Sequence, residues 1–313
     1  MFLVTGGAGF IGSHVVERLL GEGHRVRVLD NFSTGSRDNL AFAQGDRRLE
    51  IVEGDLTDPD TALRAARGIE VIFHQAAMRS VPRSVDDPLG ANANNVTGTL
   101  HLLMAARVAG VRRVVYASSS SVYGDRPELP KREDQAPAPI SPYAVSKLAG
   151  EHYCAVWSRL YGVETVALRY FNVFGPRQDP TSQYAAVIPR FILWAKQGEA
   201  LEVHGDGLQS RDFTYVDNVV AANLLAARAS GAAGQVFNVG CGSRVTLSEI
   251  IRLLEKTFGR VLECVHTPPR AGDVPHTLAD IAKAKRDLGY TPVVEFEEGL
   301  RRAVEFFTRG ETS

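Results

Sequence analysis

The chain has 313 residues, 44% of them hydrophobic, enough to bury a large core as one sizeable α/β domain with a smaller one beside it. Its 35 Lys and Arg nearly balance its 36 Asp and Glu, which removes any electrostatic case for nucleic acid or an anionic membrane and leaves a small molecule as the expected partner. No apolar run approaches the ~20 residues of a membrane span, and Cys154, Cys241 and Cys264 lack metal-ligand or redox spacing; with no basic leader or cleavage site after Met1, a cytoplasmic protein without a metal is expected.

Phe2-Leu-Val-Thr5 is a short apolar strand, followed by Gly6-Gly-Ala-Gly-Phe-Ile-Gly12 and a helical pattern ending near Gly21-Glu-Gly23. Strand, glycine turn and helix in this order let a pyrophosphate approach backbone N–H groups at a helix N-terminus, and Gly6, Gly9 and Gly12 carry the spacing. Residues 25–30 form a second strand closed by Asp30, 18 residues beyond Gly12, where a carboxylate accepts the adenosine ribose hydroxyls and repels a 2'-phosphate. NAD is favoured over NADP on that ground, although Arg37 nearby argues the other way.

Further strands are expected at 49–55, 70–77, 113–118 and 164–170, with helices between most of them, notably 98–109 and 143–161. Alternation of this kind means a parallel, doubly wound sheet with ligands beyond the carboxyl ends of its strands. Ala76 and Ala77, the run Ser118 to Ser121, and Tyr170 with Asn172 all fall at such ends and should converge on one crevice. Taken singly, the alanines also suit a tight turn and the serines a cap.

Tyr143-Ala-Val-Ser-Lys147 puts a phenol and an ammonium one helical turn apart on the same face. A free phenol titrates near ~10, and a neighbouring cation brings it toward working pH, as a general base for an alcohol proton requires. Ser119 is placed to hold the substrate oxygen beside it.

After Asn172 the strand rhythm gives way to turn residues, and residues 173–216 and 244–313 read as a cap of loops and short helices. The helix at 218–229 and the strand at 235–239 return to the large domain, residues 1–172 with 217–243. Arg211 and Arg270, each set among turn residues, suit the phosphate oxygens of a second anionic ligand.

Thr5-Gly-Gly-Ala-Gly-Phe-Ile-Gly12, Asp30-Asn-Phe32, Gly54-Asp55, Asn94-Asn-Val-Thr-Gly98, Ser118-Ser-Ser-Ser-Val-Tyr-Gly124, Ser141-Pro-Tyr143, Arg169-Tyr-Phe-Asn172, Arg211-Asp-Phe213 and Arg270-Ala-Gly-Asp273 together resemble the extended short-chain dehydrogenase/reductases. Within them the chain is similar to the nucleotide-sugar 4-epimerases of the UDP-glucose 4-epimerase type, over essentially its whole length. The resemblance implies a Rossmann sheet, tightly bound NAD, a UDP-sugar substrate, and a homodimer formed through the helices at 98–109 and 143–161. It makes Tyr143 the base, Lys147 the holder of the nicotinamide ribose that also lowers the Tyr143 pKa, and Ser119 the partner of the reacting oxygen. Asp55 meets the adenine and Arg79 the cofactor phosphates, with Phe10, Ile11, Asn31, Leu56, Ala76, Ala77, Asn94, Ser118 and Tyr170 completing the cofactor side. Ser120, Ser121, Asn172, Val187, Arg211, Arg270, Asp273 and Thr277 fall on the sugar-nucleotide side.

The implied reaction removes and returns hydrogen at the sugar C4 through a transient 4-keto sugar. Related 4,6-dehydratases and UDP-glucuronate decarboxylases carry an acidic residue just before the Val-Tyr-Gly; here Ser120 and Ser121 stand there, and a hydroxyl has no carboxyl proton to give. In the family a tyrosine at the position of Thr277 shuts out an N-acetyl group, so this chain is expected to admit UDP-N-acetylglucosamine as well as UDP-glucose, with UDP-glucuronate left open. A non-catalytic NAD-binding sensor is the alternative of a different class, and it would need neither Tyr143 nor Lys147.

Overall fold

A computed structural model describes residues 1–181, 186–268 and 274–309. Among them seven strands form one parallel sheet: β1 (Phe2–Thr5), β2 (Val26–Asp30), β3 (Leu49–Glu53), β4 (Val71–His74), β5 (Arg113–Ser119), β6 (Glu164–Tyr170) and β7 (Gln235–Val239). Their order is β7-β6-β5-β4-β1-β2-β3. The order reverses at β1, where Phe2 pairs with Val26 on one side and Val71 on the other. The expected doubly wound α/β fold is therefore present, with its switch point between β1 and β4.

The inner strands form because they are short β-branched and aromatic runs covered on both faces, whereas β3 at the sheet edge has no buried residue. Val4, Val28, Phe73, Val115 and Phe237 lie wholly buried under helices α1 (Phe10–Gly21) and α6 (Val216–Arg228). Leu3, Ile72 and Val114 point to the opposite layer, made by α2 (Pro59–Ala66), α3 (Gly98–Val108) and α4 (Pro142–Leu160). Helix α4 starts where the sequence signals it, with Pro142 in the first turn and the Ser141 hydroxyl accepting from the Ala144 N–H at 3.2 Å. Two strands are shorter than expected: β3 stops at Glu53 and β4 at His74, because the chain leaves the sheet at Gly54 and Gln75 to run into the crevice.

A second apolar core gathers Phe174, Phe191, Leu201, Tyr215, Leu247 and Phe296, built from α5 (Val187–Gln197), α7 (Leu247–Phe258) and α9 (Phe296–Thr308). The expectation of loops and short helices misses three strand pairs here: Val173–Phe174 with Thr214–Tyr215, Ser210–Arg211 with Val245–Thr246, and Leu201–His204 with Cys264–Thr267. Each joins segments far apart in sequence, so no hairpin turn announces it. It also misses α8 (Ala282–Leu288), which has no side-chain cap.

Buried polar side chains tie these segments together. The Asp212 carboxylate, fully buried, accepts from the backbone N–H groups of Cys241 (2.7 Å), Gly242 (3.0 Å) and Ala279 (3.1 Å). Burial nonetheless pushes its pKa up to about 6. Asn218 accepts from Val293 and Val294 and donates to the Val294 carbonyl. No helix among the described residues is long and apolar enough to cross a membrane.

Candidate active site

A cleft of about 480 Å³ opens along the carboxyl ends of β1, β2, β4, β5 and β6. Its floor is the glycine turn. Gly6 has φ +66° and a Cβ there would lie 2.7 Å from the Ala76 nitrogen, while a Cβ on Gly12 would lie 2.1 Å from the Gly6 carbonyl oxygen. Both positions need glycine for close packing of backbone on backbone. Gly9 meets only the Gly6 oxygen at 3.1 Å and otherwise faces open space, so its N–H side of the α1 terminus stays approachable.

Asp30 at the end of β2 accepts from the Ala8 and Phe32 N–H groups, both at 2.9 Å, which pins the loop that follows. Asn31 donates to Asp55 at 2.6 Å, and hydrogen bonds from Thr57 and Asn31 hold the Asp55 carboxyl below its ordinary range despite some burial. Arg37 is paired with Glu53 at 2.6 Å on the surface and stacked 4.2 Å from the Phe32 ring centre. Every residue that the sequence assigns to the cofactor side lines this one cleft.

At its far end stand the reactive groups. The Lys147 ammonium donates to the Ala117 carbonyl at 2.8 Å and lies 5.9 Å from the Tyr143 ring centre. Ser119 caps the turn Ser120–Tyr123, accepting from the Ser121 N–H at 3.2 Å and its hydroxyl at 2.9 Å. Burial raises the Tyr143 pKa, and the groups pulling it down are Ser119 and the Arg79 guanidinium. The expected lowering by Lys147 is not what governs the phenol in the chain alone. Burial has brought Lys147 itself down to about 8, against opposing pulls from Cys154 and Glu151. Ser118, though it lines the cleft, commits its hydroxyl to Glu151 at 2.5 Å.

A second cavity of about 250 Å³ lies in the other core, lined by Asn172, Val187 and Arg211 together with Arg190, Trp194 and Phe213. Asn172, at φ +29°, donates to the Thr277 hydroxyl at 3.0 Å, and Arg211 donates to the Pro275 carbonyl at 2.6 Å. The end of β6 serves both spaces, Tyr170 the first and Asn172 the second. Arg270 and Asp273 lie outside the described residues.

Residues 2–240 match the model of the NAD dependent epimerase/dehydratase family. The chain is 44% identical over 307 residues to the UDP-glucose 4-epimerase of Mycolicibacterium smegmatis, covering 97% of each chain.

The chain belongs to this family.

Among solved structures it superposes with a TM-score of 0.94 on the UDP-N-acetylglucosamine 4-epimerase of Methanobrevibacter ruminantium M1 in complex with UDP-N-acetylmuramic acid, at 40% identity, covering 98% of this chain and 97% of that one. The UDP-glucose 4-epimerase of Thermotoga maritima with UDP-glucose gives 0.92 at 40% identity, covering 98% of each.

NAD is the family's cofactor, and the residues present fit it. The glycine turn offers a backbone surface at Gly9 that a side chain would fill, and the Asp30 carboxylate stands in the cleft lining at the end of β2.

Sequence reasoning passed over one residue the site depends on. In Asn94-Asn95 it chose Asn94, which lines the cleft and donates to the Gly90 carbonyl at 2.8 Å. Its buried neighbour Asn95 holds both polar backbone groups of Met78 and donates to Ser146, whose hydroxyl in turn holds the Tyr143 carbonyl at 2.8 Å. Asn95 sits in a π-helical turn, Ala93–Thr97, of the kind that often marks a functional site. The available signal was its helical spacing from Thr99 and Leu102, which turns it inward.

Proposed function

We propose that the protein is an NAD-dependent UDP-sugar 4-epimerase, interconverting UDP-glucose with UDP-galactose and UDP-N-acetylglucosamine with UDP-N-acetylgalactosamine through a 4-keto sugar. The observation that carries this is that Tyr143 and Lys147 line the cleft beside a turn, Ser118 to Ser121, that bears hydroxyls and no carboxylate. NAD, when bound, supplies the acceptor and then the donor of the C4 hydride. Tyr143 takes the C4 hydroxyl proton and returns it, Ser119 holds that oxygen, and Lys147 contributes positive charge beside the phenol. Elimination of water would need an acid that this turn lacks.

In this reading residues 173–216 and 244–313 form the cap that grips the nucleotide diphosphate, with Asn172, Val187 and Arg211 on its walls. Binding energy spent there leaves the sugar ring free to turn over between its two hydride transfers. Thr277 leaves room beside the sugar C2 where a tyrosine would close it. Support for a homodimer comes from α3 and α4, which expose Met104, Val108, Val145, Val156 and Leu160 on the surface.

Incubation with a panel of UDP-sugars followed by chromatography and mass measurement tests the reaction. An epimer of unchanged mass is expected; loss of water or carbon dioxide would place the chain with the dehydratases or decarboxylases. A preference for UDP-galactose over UDP-N-acetylgalactosamine above roughly a hundredfold in kcat/KM, more than one small contact ordinarily supplies, would defeat the wide pocket.

A further inference from the structure

Tyr143, Lys147 and Glu151 stand one turn apart on the same face of α4, and each meets a different residue of the last three of β5. Lys147 donates to the Ala117 carbonyl, Glu151 accepts from the Ser118 hydroxyl, and the Tyr143 phenol is near enough to Ser119 for that hydroxyl to lower its pKa. Gly150 permits this approach, since a Cβ there would fall 2.2 Å from the Tyr116 hydroxyl oxygen. Glu151 also takes two hydrogen bonds from Arg169 of β6, at 2.9 and 2.7 Å, with both side chains only 4% exposed. Arg169 precedes Tyr170, which lines the first cleft, and its guanidinium lies 4.7 Å from the Tyr123 ring centre.

We propose that Glu151 is a positioning residue for the chemistry at Tyr143, locking α4 in register against β5 and β6 so that the phenol meets Ser119. A buried ion pair is weak as a source of net stability, whereas a bidentate pair joining a helix to a strand fixes position. Glu151 is the one tooth of the three that reaches both strands. The inference rests on the epimerase reading for its kinetic consequences, but not for its geometry.

A second effect follows from the charge of Glu151. The groups around Lys147 are Tyr143, Cys154 and Glu151 on its own helix, the Tyr143 ring centre 5.9 Å away, Tyr116 on β5 with its ring centre 5.1 Å away, and His74 on β4, which burial keeps neutral. Cys154 and Glu151 both support the ammonium against its burial, and Glu151 is the carboxyl of the two.

Three variants test this in the NAD-loaded enzyme: Glu151→Gln, Ser118→Ala, and the charge-balanced pair Glu151→Gln with Arg169→Gln. Glu151→Gln should lower kcat roughly 10–100-fold, as small displacements of a reacting group do, with little change in KM. Its alkaline limb in kcat/KM should move down by about one pH unit, because an anion beside the ammonium has gone. Ser118→Ala keeps both charges and should lower kcat without moving the limb. The double variant should regain thermal stability without regaining kcat or the limb, and with Ser118→Ala it carries the test if Glu151→Gln fails to fold.

Wild-type kcat in folded Glu151→Gln and Ser118→Ala, or recovery of kcat and the limb in the double variant, would overturn the proposal. Wild-type turnover separately tests the epimerase reading. Should that fail, the Tyr143 ring signals in tyrosine-labelled protein still decide the matter: they shift in Glu151→Gln and Ser118→Ala if the register of α4 is lost and stay put if the inference is wrong.

Discussion

The two cavities are built on different principles. The larger is a row of strand ends in one parallel sheet, where Gly6, Asp30, Ala76, Ser118 and Tyr170 are brought together by the spacing of β-strands and need few side-chain contacts to stay there. The smaller lies in the second core, whose segments are drawn together by side-chain hydrogen bonds such as Asn172 to Thr277, 105 residues apart, and by buried polar stitches such as Asp212. The sheet side is stiff by topology; the cap side is held by individual hydrogen bonds. Substitutions should therefore separate the two.

The largest effect is expected at the reactive end of the larger cleft. Tyr143→Phe should lower kcat by about 10²–10⁴-fold, the usual contribution of a positioned general base, with the melting temperature little changed; near-normal epimerisation by this variant would remove the proposed base. Gly12→Ala should act on the sheet side alone. Its methyl would press on the Gly6 carbonyl, costing about 1–3 kcal/mol as overpacking does, and the purified protein should carry less NAD while still binding UDP.

Asp212→Ala should do the reverse. It leaves the N–H groups of Cys241, Gly242 and Ala279 without their acceptor, at about 1–3 kcal/mol for a buried orphaned group. KM for the UDP-sugar should rise more than kcat falls, with NAD content kept. Equal loss of both ligands in either variant would erase the distinction between the two regions.

The smallest effect is on stability against pH. His74, between Thr5 and Thr99 in the sheet layer, and His14, which holds the Pro176 carbonyl, are each pushed by burial to about 3. Both stay neutral in the fold while the unfolded chain gains protons below ~6.5, so the stability they contribute is complete above that pH and is lost toward about 3. The limiting slope is about 1.4 kcal/mol per pH unit for each. Asp212, raised to about 6, runs the other way, its contribution being lost as pH rises from ~3.8 through 6. Two groups oppose one between pH 4 and 6, so denaturant melts should show a shallow net fall on acidification; a rise would contradict the assignment of the histidines.

The same contrast explains what could be read in advance. The cofactor side was legible because its residues follow strands at fixed offsets, as Asp30 follows Gly12. On the cap side the arginines and Asn172 were noticed as residue types, but the strand pairs and the Asp212 stitch were not, because nothing local to Leu201–His204 names Cys264–Thr267 as its partner. Glu151 escaped for another reason: a glutamate in a helix ordinarily faces water, and only the arrival of Arg169 from the neighbouring strand makes it buried.

One earlier detail bears on how this chain can change. Because Asp30 fastens the turn at Ala8 and Phe32, replacing its carboxylate to admit a phosphorylated coenzyme also removes two hydrogen bonds of the loop. Losing the carboxylate loosens the loop before any cation greets the new group. Coenzyme choice is thus welded to the folding of its own cradle, and redesign would have to rebuild the loop first and alter its charge second.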